Sequence, residues 1–327
     1  GLTELTRDLR STNGLKVPSK YVTYPFDFGS TVFKRLLKNE KFDIIACFAA
    51  HKHVRSEKDH LAIEAMVQNN IINTHRLLRL ASQNPPAHFF SVSTDKAANP
   101  VNVMGATKKL MENVLLSYSS TMKITTARFA NVAFSNGSLL YGFIQRMMKR
   151  QPLSSPSDVK RYFVSPRESG ELCMLASILG ESGDIFFPRL REEQMMRFSD
   201  IAESFLKSLG YECDYCDSEE EAKLKAASWT NGQKNYPVYF FNTDTSGEKM
   251  YEEFFTEEDN ITLDLFESLG IIKNAAIPDR QDMENLIKNF QSLFESEIDK
   301  SDVVHLLKEY LPGFQHIETG KTLDQKM

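Results

Sequence analysis

Phe89-Phe-Ser-Val-Ser-Thr-Asp-Lys-Ala-Ala-Asn-Pro-Val-Asn-Val-Met-Gly-Ala-Thr-Lys108 is the stretch that decides the fold. It opens as a short apolar run, residues 87–93, of the kind a strand shows when both its faces are covered. Ser93, Thr94, Asp95 and Lys96 follow at the carboxyl end of that strand. Asn99-Pro100 breaks the chain, and an amphipathic helical pattern then runs over 103–120. Met104 and Lys108 are four apart, so they share one face of that helix. In open α/β sheets ligands bind at the carboxyl ends of the strands. The stretch therefore predicts a ligand site where an acid, two lysines and a hydroxyl meet.

The same alternation extends outward. Residues 20–26 predict a strand, and 30–39 a helix with Ser30 as its N-cap. Residues 42–50 form a continuous apolar run, 59–82 a helix, and 123–132 another strand. This order predicts an α/β domain with a Rossmann-like, doubly wound parallel sheet over 1–150. Beyond it Pro152, Pro156 and Pro166 punctuate the chain. Strands at 184–189 and 238–243 and helices at 168–179, 218–229 and 279–297 predict a smaller mixed region over 151–327.

Composition narrows the function. The 327 residues carry 39 Lys and Arg against 44 Asp and Glu, a net charge of −5. That balance argues against a general grip on nucleic acid. The longest apolar run, 44–50, is far short of the roughly 20 residues that span a bilayer. Four cysteines make no disulfide scaffold, so a reducing cytoplasm is the expected compartment. Cys213 and Cys216 form a lone CxxC, which carries no metal or redox reading. His51 and His53 share a face at a strand end but lack a third ligand, so no metal site is expected. The acidic runs 219–221 and 257–259 are read as solvated helix faces or turns, and Trp229 as a packing residue.

Ser93–Pro100 and the helix that follows resemble the extended short-chain dehydrogenase/reductase superfamily. Within it they resemble the UDP-N-acetylglucosamine 4,6-dehydratase branch of bacterial polysaccharide biosynthesis, whose motif is Ser-Thr-Asp-Lys-Ala-x-Asn-Pro. The superfamily's Tyr-x-x-x-Lys is here Met104-Gly-Ala-Thr-Lys108, a replacement known in part of the branch. Further matches are Asp27, Ala49-Ala-His-Lys-His-Val54, Asn70, Arg128-Phe-Ala-Asn-Val132, Ser135-Asn-Gly-Ser138, Arg161-Tyr-Phe-Val-Ser-Pro166 and Glu168. Residues 52–59 and the tail 316–327 resemble the subgroup of legionaminic-type sugar pathways.

The resemblance implies an NAD- or NADP-dependent lyase acting on a UDP-sugar in a homo-oligomer. Carbon 4 is oxidised, water is eliminated across carbons 5 and 6, and the hydride returns to carbon 6. It implies Asp95 as the acid and Lys96 as the base of the elimination, each with a shifted pKa. Burial favours the neutral form of both groups, and mutual ion pairing opposes it. Lys108 would bond the nicotinamide ribose, with Asp27, Ala49, Ala50, Lys52 and Asn70 along the cofactor. Asn131, Ser135 and Arg161 would hold the nucleotide-sugar. Met104 has no exchangeable proton, so Thr94, or Asp95 acting twice, must take the proton from the carbon 4 hydroxyl. The resemblance implies that related enzymes which retain configuration at carbon 5 often carry methionine here, and those which invert carry tyrosine, so retention is the expected outcome. Two other readings fit the sequence: a nucleotide-sugar epimerase or reductase of the same superfamily, and an inactive fragment. The second is motivated by the amino end. None of the 15 glycines forms the family's GxGxxG turn, and 1–11 reads as the helix after the family's second strand. The expectation is a truncated chain that binds cofactor poorly.

Overall fold

The computed structural model describes residues 2–14, 16–54, 57, 59–244, 246–247, 249 and 251–320. A six-stranded sheet forms the centre, in the order Ile44–Cys47, His88–Thr94, Ile124–Phe129, Ile185–Pro188, Leu269–Ile272, Ile261–Thr262. The first four strands are parallel, and the last two run antiparallel to their neighbours. This is the Rossmann-type α/β architecture that the alternation predicts.

Helix Val103–Leu116 is buried almost all round, because it lies between the sheet and a second helical layer. That layer is His60–Val67, a π-helical turn at Gln68–Asn73, Thr74–Ala81, and the C-terminal helices Arg280–Leu293 and Lys300–Tyr310. Ile63, Met66, Ile71, Leu110, Leu115, Leu286, Phe290 and Leu307 share one apolar core there. On the opposite face, helix Pro166–Ile178 packs Leu172 and Ala176 against Phe90, Ala127 and Phe186. A capping box starts that helix: Glu168 N–H donates to Ser165 Oγ, and Ser165 N–H to the Glu168 carboxylate.

Three expectations change. Residues 20–26 form no strand. Val22 is 64% exposed and Tyr24 48%, and no described segment offers them a ladder. An apolar run becomes a strand only where its backbone groups find partners. Residues 42–50 shorten to Ile44–Cys47, which lies at the sheet edge and is not covered on both faces. Ile44 and Phe48 are more than half exposed. The boundary at 150 does not divide the sheet, because Ile185–Pro188 and Leu269–Ile272 return to it from beyond that position. The C-terminal helices join the first half's core in the same way. What stands apart is a parallel sheet, Glu212–Tyr215, Asn235–Phe241 and Leu153–Pro156, with its own core of Leu140, Phe143, Leu206, Tyr236 and Val238. Trp229 packs there against Tyr211 and Tyr236.

No described helix is long and apolar enough to cross a membrane.

Candidate active site

A cavity of about 370 Å³ opens at the carboxyl ends of three adjacent parallel strands. Phe48, Ala50, Lys52 and His53 come from the first. Val92 to Lys96 come from the second, and Phe129 to Val132 from the third. The loop bearing Ser135, Gly137 and Ser138 closes one side, and helix Val103–Leu116 contributes Met104 and Lys108. Of the residues singled out from the sequence, this one space gathers Thr94, Asp95, Lys96, Met104, Lys108, Ala50, Lys52, Asn131 and Ser135.

Asp95 and Lys96 sit on a single 3₁₀ turn, Asp95–Ala97, at the end of strand His88–Thr94. Thr94 Oγ1 donates to Asp95 Oδ1 at 2.8 Å. The backbone N–H and Nζ of Lys96 reach the same oxygen at 2.9 and 3.0 Å. Gly105 lets the helix press against this turn: a Cβ there would lie 2.5 Å from the Lys96 carbonyl oxygen. Asn102 caps the helix, accepting from Gly105 N–H at 2.7 Å.

The two lysines differ in charge environment. Lys96 is flanked by Asp95 and by Glu252, whose carboxylate is 3.7 Å from Nζ. Desolvation pulls its pKa down, but Asp95 and Glu252 together outweigh that and leave it raised. Between burial and ion pairing, pairing wins, and Lys96 is held as a cation. Lys108 Nζ donates to the Val92 carbonyl at 2.7 Å and approaches Met111 Sδ at 3.2 Å. Desolvation prevails there and brings the pKa to about 8. Glu112, one turn on, is taken by Arg128 through two hydrogen bonds at 3.0 and 2.8 Å. Arg128 of the Arg-Phe-Ala-Asn-Val motif is thus a fully buried structural partner.

Other expected site residues lie elsewhere. Asp27 accepts Gly29 N–H at 2.6 Å in the turn before helix Thr31–Asn39, off the cavity wall. Ala49 is exposed and off the wall as well. Asn70, fully buried, works one layer behind. It accepts from His51 N–H at 2.8 Å, and donates to the His51 carbonyl at 2.9 Å and to Thr107 Oγ1 at 3.1 Å. It ties the strand-end loop to the cavity helix, and the π-helical turn carries it there. Arg161 is 4% exposed and is not among the lining residues. Its Nη1 donates to the carbonyls of Lys160 and Lys249, and Nη2 lies 3.7 Å from Glu252. It braces the segment behind Lys96.

Sequence reasoning missed two acids. Glu252 is 5% exposed, and its pKa is raised by desolvation against the pull of Lys96. Glu57 caps the cavity helix from outside, accepting Val103 N–H at 3.0 Å and Met104 N–H at 2.7 Å. Desolvation carries its pKa to about 7 despite those two donors. The signal for Glu252 was a charge count, since two buried cations beside one carboxylate demand another anion. Arg55, Ser56 and Lys58 of the 52–59 match, and 321–327 of the tail match, lie outside the described residues. Among the described residues, no three His, Cys, Asp or Glu side chains gather as a metal site.

Comparison with known proteins places the chain among relatives and shared folds. An uncharacterized membrane protein of Methanocaldococcus jannaschii is 29% identical over 276 residues, covering 83% of this chain and 75% of that protein. The probable polysaccharide biosynthesis protein EpsC of Bacillus subtilis is 29% identical over 266 residues, covering 80% of this chain. The chain spans only 40% of the length of EpsC. The fold is shared with the UDP-glucuronic acid 4-epimerase of Bacillus cereus, solved with UDP-glucuronic acid and NAD. That match has a TM-score of 0.56 and 16% identity, over 95% of this chain and 87% of the other. The fold is also shared with the dTDP-glucose 4,6-dehydratase of Streptomyces venezuelae, solved with NAD bound. Here the TM-score is 0.53 and the identity 16%, over 83% and 79% of the two chains. A family model described as polysaccharide biosynthesis protein matches residues 29–274, which takes in the sheet, the Asp95–Ala97 turn and the cavity helix. On that match over most of its length, the chain belongs to the polysaccharide biosynthesis protein family.

Proposed function

We propose that the protein is a nucleotide-sugar 4,6-dehydratase that converts UDP-N-acetylglucosamine to a UDP-4-keto-6-deoxy sugar with NAD or NADP. The observation that carries this reading is the Asp95–Lys96 pair, in contact at 3.0 Å on the wall of the same cavity as Lys108. A simple 4-epimerase has no use for such a pair, whereas elimination across carbons 5 and 6 needs both an acid and a base.

The residues suit the cofactor that the reading requires. Lys108 has three N–H donors, and its contacts with Val92 and Met111 use two. The third is available to a ribose hydroxyl. The nicotinamide, when bound, supplies the acceptor for the carbon 4 hydride and later returns it.

The chain's own groups do the proton work. Met104 lines the cavity where the superfamily has tyrosine, so it contributes shape and no proton. Thr94 and Asp95 divide that task, because the hydroxyl already donates to the carboxylate. Thr94 takes the proton of the carbon 4 hydroxyl and passes its own to Asp95. Asp95 then delivers this proton to the hydroxide departing from carbon 6, and Lys96 removes the carbon 5 proton. Asp95 and Lys96 act from one turn and therefore on one face of the sugar, which supports retention at carbon 5.

Full-length protein incubated with UDP-N-acetylglucosamine tests the reading. Proton NMR of the fresh product should show a carbon 6 methyl group and a 4-ketone, with carbon 5 couplings of the unchanged D-series. A 4-epimer that still carries the carbon 6 hydroxyl would replace this reading with an epimerase.

A further inference from the structure

The elimination requires Lys96 as a free amine, yet Asp95 and Glu252 hold it as an ammonium. We propose that Glu252 is the internal proton acceptor that discharges Lys96 for the carbon 5 step. This inference rests on the dehydratase reading and adds a residue which that reading does not contain.

The geometry is specific. Glu252 is 5% exposed, and its Oε1 lies 3.7 Å from Lys96 Nζ and 3.7 Å from Arg161 Nη2. One bridging water or a small rotation closes the first gap to a hydrogen bond. Among the described residues, the charged groups facing Glu252 are Lys96 and Asp95 from the 3₁₀ turn, Arg161 from the short strand Lys160–Arg161, and Lys249 from its own segment. Arg161 Nη1, bonded to the Lys249 carbonyl, anchors that segment beside the turn.

Oxidation at carbon 4 triggers the transfer. The hydroxyl proton ends on Asp95, and the carboxylate nearest Lys96 becomes neutral. Among the described residues Lys96 is then left with Glu252 as its counter-ion in a site that penalises charge. The Lys96 N–H bond breaks, a Glu252 O–H bond forms, and two buried charges vanish together while Arg161 stays charged. The Lys96 amine takes the carbon 5 proton. The electron pair turns the single bond between carbons 5 and 6 into a double bond, the carbon 6–oxygen bond breaks, and the hydroxide leaves with the Asp95 proton as water. After the hydride reaches carbon 6, Lys96 returns its proton to carbon 5. Glu252 then returns the borrowed proton to Lys96, and every group ends as it began.

Single-turnover kinetics with UDP-N-acetylglucosamine separate the steps. Reduced-nicotinamide absorbance rises with oxidation and falls when the hydride returns. In Glu252→Gln the fall should slow about 10²-fold, the scale of a lost proton-transfer group, while the rise slows far less. Its rate should climb with pH, because Lys96 must now lose its proton to bulk water. Glu252→Asp should recover part of the fall, and remains a test if the glutamine variant does not fold. A Glu252→Gln fall with wild-type rate and pH profile overturns the inference, as does equal slowing of both phases. If wild-type protein gives neither reduced nicotinamide nor a 4-keto product, the dehydratase reading itself fails.

Discussion

Lys96 and Lys108 face one cavity, Lys108 buried and Lys96 partly so, and they carry opposite shifts. Lys96 has two carboxylates within 4 Å and is held above the usual lysine value. Lys108 has a carbonyl and a thioether, and desolvation lowers it to about 8. The acids of the cavity helix repeat the contrast. Glu112, fully buried, is lowered because Arg128 outweighs its desolvation. Glu57, which accepts from two backbone N–H donors and meets no cation in direct contact among the described residues, is carried up to about 7 by burial. Burial supplies the penalty in all four cases, and the presence of an opposite charge decides the sign.

Breaking the Lys96 side should have the largest effect. Lys96→Ala is expected to slow the elimination 10²–10⁴-fold, the range for a positioned base, while oxidation persists. Reduced nicotinamide would then accumulate in a single turnover. Wild-type turnover by this variant would remove Lys96 from the mechanism.

Glu57 gives the next effect. Glu57 has a folded pKa raised above its unfolded value, so the folded state binds more protons between pH 4.5 and about 7. Its stabilising contribution is complete below pH 4.5 and is lost as pH rises through about 7. The change is up to about 3 kcal/mol. Glu57→Gln should flatten that part of the stability profile, measured by urea unfolding at several pH values. An unaltered slope would show that the carboxylate is paired in solution.

The Lys108 side should give the smallest effect. If its ammonium bonds the ribose, affinity for the cofactor is full below pH 8 and falls about tenfold by pH 9. Calorimetric titration of wild-type protein and Lys108→Met reads this directly. A pH-independent affinity in wild type would place the cofactor's ribose on another donor.

Sequence alone determined the strand–helix order from residue 42 to the cavity helix, the position of the Asp95–Lys96 turn and half of the cavity wall. These features are local: a buried strand, an Asn-Pro break and a capped helix put Thr94, Asp95, Lys96, Met104 and Lys108 at one strand end whatever surrounds them. Tertiary structure decided which apolar runs became strands, because 20–26 and 42–50 have similar appeal as isolated sequence but different ladder partners. It also decided what the charges do. Arg161 bonds the Lys249 carbonyl, Arg128 claimed Glu112, and Glu252 came from 156 positions away in sequence to face Lys96. A side chain's type is written in the sequence, but its charge at neutral pH depends on which opposite charge the fold leaves within a few ångströms.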